Sequence, residues 1–255
     1  MTILDKILAV KREEVAQLRK TFTLEEKKRK APIYSFIERC QKDDRLKLIA
    51  EFKRASPSKG TINATLDPIE QAQTYQELGA SMVSVLTDRE FFKGSYEDLI
   101  AVKETIDLPV LNKDFIIDEV QIDRAYLEGA DVILLIAASL PEDRLKELYQ
   151  HAEKRGLEVL FEVHNEAELE VAQRIGARLI GVNNRDLKTF TVDLGVTERL
   201  AQLIDHEREI LVSESGLKTT EDVVRVKKAG ARAILVGETL MRASDLQQTF
   251  REILK

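Results

Sequence analysis

A single cysteine, no tryptophan and only three histidines stand among 255 residues. One cysteine excludes an intrachain disulfide, and no Cys/His set has the spacing of a zinc site, so no metal is expected. Cys40 itself reads as a small apolar residue on a short helix. Long apolar runs are also missing: the longest, VILLIAA at Val132–Ala138, is far short of the ~20 residues that span a bilayer. The N-terminus MTILDKILAVKREEVAQLRK alternates charge with apolar residues and lacks the unbroken core of a signal peptide. A cytoplasmic protein without membrane contact is expected. Positive charge is in deficit too, with a formal net charge of -6, whereas binding to a phosphate backbone needs a clustered excess of Lys and Arg. The one dense basic run, KKRK at Lys27–Lys30, follows Glu25 and Glu26 without aromatic interleaving. It reads as a solvated face, and no nucleic-acid partner is expected.

What is present is 44% hydrophobic and 33% charged, enough for a large core under a well-solvated surface. Four segments repeat one pattern: ELGASMVSVL from Glu77, LEGADVILLI from Leu127, RIGARLIGVN from Arg174 and KAGARAILVG from Lys228. Each couples a helix end, a Gly suited to a left-handed cap, and a short Val/Ile/Leu-rich run. The runs KLIAEF, LPVLNK, LEVLFEV and EILVSE lie between them. Together they predict eight strands, beginning near Leu48, Met82, Val110, Val132, Val159, Leu179, Ile210 and Ala233. Helical segments such as DPIEQAQTYQEL and PEDRLKELYQHAEK intervene, and TLMRASDLQQTFREILK closes the chain as one more helix. Apolar strands alternating with amphipathic helices, with no hairpin turn between them, imply parallel pairing through right-handed crossovers. The expected fold is α/β, a (β/α)₈ barrel of the phosphate-binding type. It forms one domain over residues 1–255, with residues 1–46 as an N-terminal helical extension too short for its own core. An open doubly wound sheet is the alternative, but ASPSKG after the first strand lacks the G-x-G-x-x-G turn.

In such a barrel the βα loops converge at the C-terminal ends of the strands. Those ends carry Glu51 and Lys53, Asp88, Asn112, Lys113 and Asp114, Glu162 and His164, Asn183 and Arg185, then Ser213, Glu214 and Ser215, and finally Gly237 and Glu238. Any one of these could be polar only because strand ends reach solvent. Lys and Glu alternating around one mouth, however, must pair and shift one another's proton affinity. Ser215 and Gly216 precede a helix that Thr219 or Thr220 can cap, and Gly237 opens the final helix. Loops after strands seven and eight of a barrel often bind phosphate through free backbone N–H groups. These residues imply a small phosphorylated substrate. Lys53 and Lys113 are candidate acids or anion binders, and Glu51, Glu162 and Glu214 are candidate bases or hydroxyl acceptors.

The stretches IAEFKRASPSKG, FFKGSYEDL, LNKDFIID, LFEVHN, IGVNNRDL, SESGL and LVGETLM, in this order from about residue 48 to the end, resemble the indole-3-glycerol phosphate synthase family of tryptophan biosynthesis. The resemblance implies ring closure of 1-(2-carboxyphenylamino)-1-deoxyribulose 5-phosphate with loss of carbon dioxide and water. On it, Lys113 would be the general acid, Glu162 the base of the dehydration, and Lys53 the partner of the substrate carboxylate, sharing the acid role. Glu51, Asn183 and Glu214 would hold sugar hydroxyls and the lysines, with Arg185 steadying the network. Phosphate would rest on Ser215, Gly216, Gly237 and the backbone of Glu238, whose side chain would point away, with Ser56 or Lys53 reaching in. Phe92, Phe115, Leu134 and Leu187 would wall the aromatic ring. No metal or organic cofactor is implied, because the lysines and glutamates can carry every proton transfer, and a monomer is expected.

The loop RASPSKG is expected to close over the substrate as a lid. His164 reads as a rim residue rather than a base, and His151 and His206 carry no signal. Ser213 departs from the Ala of many relatives, and Asn112 occupies a variable position. Two rivals remain. A sibling isomerase of a phosphoribosyl amine would want Cys where Glu51 stands, and a sensor that only binds a phosphorylated metabolite would have no need of an acid facing a base.

Overall fold

The computed structural model describes residues 2–23, 28–63 and 65–254. Eight parallel strands close on themselves in chain order: β1 (Lys47–Phe52), β4 (Met82–Leu86), β5 (Val110–Lys113), β6 (Val132–Ile136), β7 (Glu158–Val163), β8 (Leu179–Asn183), β9 (Ile210–Glu214) and β10 (Ala233–Val236). The ring shuts where Lys47–Ala50 of β1 pairs with Ala233–Val236 of β10. Every strand begins within one residue of its expected position. Two short strands, β2 (Ala55–Ser56) and β3 (Gly60–Thr61), make an antiparallel hairpin inside the loop after β1. The apolar alternation of barrel strands gave no hint of that hairpin, which is built from Ser, Pro and Gly.

The crossover helices are α3 (Pro68–Glu77), α4 (Tyr96–Lys103), α5 (Glu119–Leu127), α6 (Glu142–Lys154), α7 (Glu166–Ile175), α8 (Gly195–Ala201) and α9 (Thr220–Ala229). Their starts follow from local chemistry. Asp67, Ser95, Asp118, Asn165 and Thr219 each accept a backbone N–H that the first turn leaves unpaired. Thr219, not Thr220, is the cap of α9. At the four repeated junctions Gly79, Gly129, Gly176 and Gly230 all adopt left-handed backbone, as the repeat predicts. The closing helix differs from expectation. It is two pieces, α10 (Glu238–Met241) and α11 (Leu246–Ile253), because the Asp245 side chain caps a fresh start by accepting the Gln248 N–H.

Strand side chains alternate between two cores. One lies between strands and helices and includes Leu48, Val83, Val110, Ile133, Phe161, Ile180, Leu211 and Ile234. The other fills the barrel with Ile49, Met82, Leu111, Leu134, Leu160, Leu179, Val212 and Leu235, and Phe36, Ile37 and Cys40 plug its base. The plug is the helix α2 (Phe36–Gln41), whose first N–H groups rest on the half-buried Glu158 carboxylate at the start of β7.

The described residues before β1 touch both ends of the barrel. The long helix α1 (Ile3–Thr21) puts Lys11 beside Asp88 at 3.0 Å and Asp114 at 2.9 Å, both at the C-terminal ends of strands. Further along, Arg19 pairs with Asp118 at 2.6 Å. Arg29 then reaches the base, bonding the carbonyls of Tyr126 and Ala130 and the carboxylate of Asp131. The expectation of a solvated KKRK face therefore fails at Arg29, whose side chain is 4% exposed; Lys28 and Lys30 are exposed, and Lys27, Glu25 and Glu26 lie outside the described residues. Backbone carbonyls at the C-terminal end of α5 and just beyond it draw the guanidinium inward. Among the described residues no helix is long and apolar enough to cross a membrane.

Asp131 is the hub of this base, fully buried and accepting from Arg29, from Lys103 Nζ at 2.7 Å, and from the N–H groups of Tyr34 and Val110. Removing it strands two buried cations. Asp131→Ala should lower the unfolding free energy by about 3–5 kcal/mol, read from urea denaturation. A loss below about 1 kcal/mol would mean that water or another acceptor reaches Arg29 and Lys103.

Candidate active site

The strand tips surround a cavity of about 600 Å³, of a size to enclose one small ligand. All sixteen residues singled out in the sequence line it: Glu51, Lys53, Ser56, Phe92, Lys113, Phe115, Leu134, Glu162, Asn183, Arg185, Leu187, Glu214, Ser215, Gly216, Gly237 and Glu238. Strand alternation sorts the remaining rim residues. Lys113 and Glu214 point in, so their neighbours Asn112 and Ser213 point out. Asn112 donates to Thr87 Oγ1 at 2.9 Å. The Ser213 hydroxyl lies 2.8 Å from Thr197 Oγ1, which absorbs that departure from the usual Ala.

The centre is the Lys113 ammonium, at the end of β5 and largely buried. Its Nζ lies 2.5 Å from Glu214 Oε2 and 3.6 Å from Glu162 Oε2. Burial alone would lower its pKa, but Glu214, Glu162 and Glu51 outweigh burial and raise it. Glu162 and Glu214 respond in opposite directions. Burial pushes Glu162 up, yet His164, Lys113 and the Asn183 amide, which donates to Oε1 at 3.0 Å, hold it below the usual carboxylate range. Glu214 is raised, because burial and the nearby Glu162 and Glu51 charges exceed what Lys113 returns. At neutral pH the mouth therefore holds an ammonium facing an ionised Glu162. Beside them, Lys53 donates to Glu51.

Two glycines make room for these carboxylates. A Cβ on Gly181 of β8 would sit 2.2 Å from Glu214 Oε1, and one on Gly237 would sit 2.2 Å from Glu51 Oε2. Gly237, singled out for phosphate, thus also backs Glu51; Gly181 was missed, although a Gly inside the strand run LIGVN is the usual mark of close approach. Nearby, Ser215 and Gly216 both take positive φ, 65° and 86°. For Ser this is a strained backbone, held by the Asn184 amide, which donates to the carbonyls of Glu214 and Ser215 at 2.9 and 3.1 Å.

Other placements refine expectations. The Arg185 guanidinium reaches the Phe190 carbonyl at 3.4 Å, while its backbone N–H holds Asn183 Oδ1 at 3.0 Å. The Glu238 carboxylate receives Arg242 at 3.2 Å and Lys59 at 3.6 Å, two cations that the sequence reading passed over. Phe92 and Phe115 pack with ring centroids 5.8 Å apart. The backbone N–H groups of Phe91 and Phe92 bond Asp88 Oδ1, so Lys11, through Asp88, anchors this wall. Ile3, Leu4 and Ile7 of α1 also line the cavity, which no strand-end reading could find. Lys11 was findable, because it falls on the apolar stripe Leu4, Ile7, Leu8, Lys11, Val15.

His164 is more than a rim residue. Its Nε2 lies 3.3 Å from Glu162 Oε1 and its Nδ1 3.0 Å from Glu168 Oε2. Burial would lower its pKa, but the two carboxylates raise it to about 10.

Comparison with known proteins gives a consistent result. A family model described as indole-3-glycerol phosphate synthase matches residues 4–253. Curated relatives of that name include one from Bacillus cereus, 51% identical over 98% of this chain and 97% of the relative. Another, from Bacillus anthracis, is 50% identical over the same shares. Among solved structures, the 3-hexulose-6-phosphate synthase of Salmonella typhimurium matches with TM-score 0.63 at 14% identity, covering 82% of this chain and 96% of that one. The N-acetylmannosamine-6-phosphate 2-epimerase of Clostridium perfringens matches with TM-score 0.62 at 15% identity, over 82% and 93%. At such identities these structures speak to the barrel alone.

Gly181→Ala should force Glu214 off Lys113. Overpacking of this kind costs about 1–3 kcal/mol, measurable by denaturation, and a crystal structure of the variant should show the carboxylate turned away. Unchanged stability with the Lys113–Glu214 contact intact would mean that the glycine does not set the position of Glu214.

Proposed function

The chain belongs to the indole-3-glycerol phosphate synthase family, carboxy-lyases of tryptophan biosynthesis that act on a phosphorylated small molecule, and from that premise we propose how its residues divide the reaction. The substrate 1-(2-carboxyphenylamino)-1-deoxyribulose 5-phosphate closes a ring when its aromatic carbon attacks the ketone. Lys113 protonates the ketone oxygen as the bond forms. Carbon dioxide then leaves, restoring aromaticity, and water leaves as Lys53 protonates the departing hydroxyl and Glu162 takes the proton lost during dehydration. Lys53 pairs with the substrate carboxylate and assists as acid.

The observation that carries this reading is one ammonium, Lys113, meeting two carboxylates inside a single cavity that also holds Lys53. At rest the neighbouring carboxylates make the ammonium a weak acid. When Glu214 turns to accept a sugar hydroxyl, Lys113 loses its nearest countercharge, its pKa falls, and it becomes a stronger acid at the moment the ketone arrives. Glu51 and Asn183 orient the sugar, while Phe92, Phe115, Leu134 and Leu187 exclude water around the ring. Phosphate sits at the opposite end of the cavity, on the backbone of Ser215, Gly216, Gly237 and Glu238, with Ser56 approaching from the β2–β3 hairpin. The hairpin closes as a lid. Every group this chemistry requires comes from one chain, so a monomer working in the cytoplasm suffices, without nucleic acid.

The absence of tryptophan makes the assay direct, since indole product appears as new fluorescence over a weak tyrosine background. Lys113→Ala should lower kcat by about a thousandfold or more, while KM changes little, because the lost contact strengthens in the transition state. Turnover within about tenfold of the parent would remove Lys113 from the acid role.

A further inference from the structure

Glu162 does not stand alone at the end of β7. Its two carboxylate oxygens have different surroundings. Oε1 accepts the Asn183 amide at 3.0 Å and has His164 Nε2 at 3.3 Å, whereas Oε2 faces Lys113 across 3.6 Å. Only Oε2 faces the Lys113 ammonium. His164 does not itself line the cavity, and its side chain is 12% exposed, so anything it contributes passes through Glu162.

We propose that His164 is a positioning residue that, clamped by Glu168, fixes Oε1 of Glu162 so that Oε2 is presented as the base; this rests on Glu162 being the base. The clamp is specific. Glu168 Oε2 accepts the His164 backbone N–H at 2.8 Å and lies 3.0 Å from Nδ1, while its Oε1 accepts the Asn165 amide at 2.8 Å. Glu168 is itself held where α7 begins, since its backbone N–H donates to the capping Asn165 side chain at 3.0 Å. The ring thus faces a carboxylate with each nitrogen, Nδ1 at 3.0 Å from Glu168 and Nε2 in ionic contact with Glu162 at 3.3 Å. Such an arrangement leaves Nε2 directed at Glu162.

The charges that bear on the ring are Glu162 from β7 and Glu168 from α7, with the Lys113 ammonium across the cavity. With a pKa raised to about 10, against the lowering effect of burial, the ring is an imidazolium at neutral pH. An imidazolium beside Oε1 favours the ionised form of Glu162, which is the form that can accept a proton. Removing it must raise the Glu162 pKa. The variant therefore has less base available as pH falls, and its deficit against the parent widens toward acid.

The test compares His164→Ala, Glu168→Gln and Glu162→Gln with the parent enzyme, using the ring-closure substrate and indole fluorescence. His164→Ala should lower kcat by roughly tenfold to a hundredfold with KM within about threefold, as for other groups that orient a reacting side chain. The deficit should be larger at about pH 5 than at about pH 8. Glu168→Gln keeps an acceptor for the α7 cap but removes the clamping charge, so it should lower kcat in the same direction by a smaller factor; it also serves if His164→Ala fails to fold. The proposal is overturned if His164→Ala, or Glu168→Gln in its place, leaves kcat within about twofold of the parent. It is equally overturned if the deficit is pH-independent and KM rises in step with a fall in melting temperature. Glu162→Gln keeps the two failures apart. Near-parental activity there withdraws the base itself, whereas an inactive Glu162→Gln beside a normal His164→Ala removes only the histidine.

Discussion

A buried ammonium must be met by negative charge, and at Lys113 that requirement organises the whole mouth of the barrel. Taking the ion out of water costs several kcal/mol unless carboxylates compensate. Glu214 at 2.5 Å and Glu162 at 3.6 Å do so, each arriving on a different strand. Glu214 could not approach so closely if β8 carried a side chain at the position facing it. Gly181 gives Glu214 its space and Gly237 gives Glu51 its space. The position of one cation thus dictates where the backbone must carry nothing.

The same rule ties the N-terminal segment to the barrel. Lys11 meets Asp88 and Asp114 near the mouth, and Arg29 joins Lys103 on Asp131 at the base. These pairs are buried, so breaking either leaves charge without solvent. Consequently α1 does more than cover a surface. Through Asp88, Lys11 supports the turn that carries Phe92, and Asp114 adjoins Lys113 in the chain, so the segment helps to set the cavity wall and the strand end beside it.

Charge that satisfies the resting site is also charge that the reaction can reassign. In the proposed cycle Glu214 exchanges an ammonium for a hydroxyl, and that exchange changes the acidity of Lys113 without any group leaving the cavity. Glu162 is kept ionised by a second cation, His164, that lies outside the cavity lining. Two carboxylates of the same residue type thereby acquire opposite proton affinities from their surroundings alone.

The sequence by itself determined the eight strands, the four left-handed glycine junctions and sixteen of the residues that line the cavity, because each depends on chemistry local in the chain or on the alternation of strand side chains. It determined which charges stand at strand tips. Tertiary structure alone decided which of those charges meet. The burial of Arg29 against carbonyls about 100 residues away, the break at Asp245, the arrival of Ile3, Leu4 and Ile7 at the mouth, and the contact of His164 with Glu162 all depend on how elements pack in space. A pattern of residue types encodes a periodicity. A distance between an imidazole and a carboxylate, or between a missing Cβ and an oxygen, exists only once the barrel has closed.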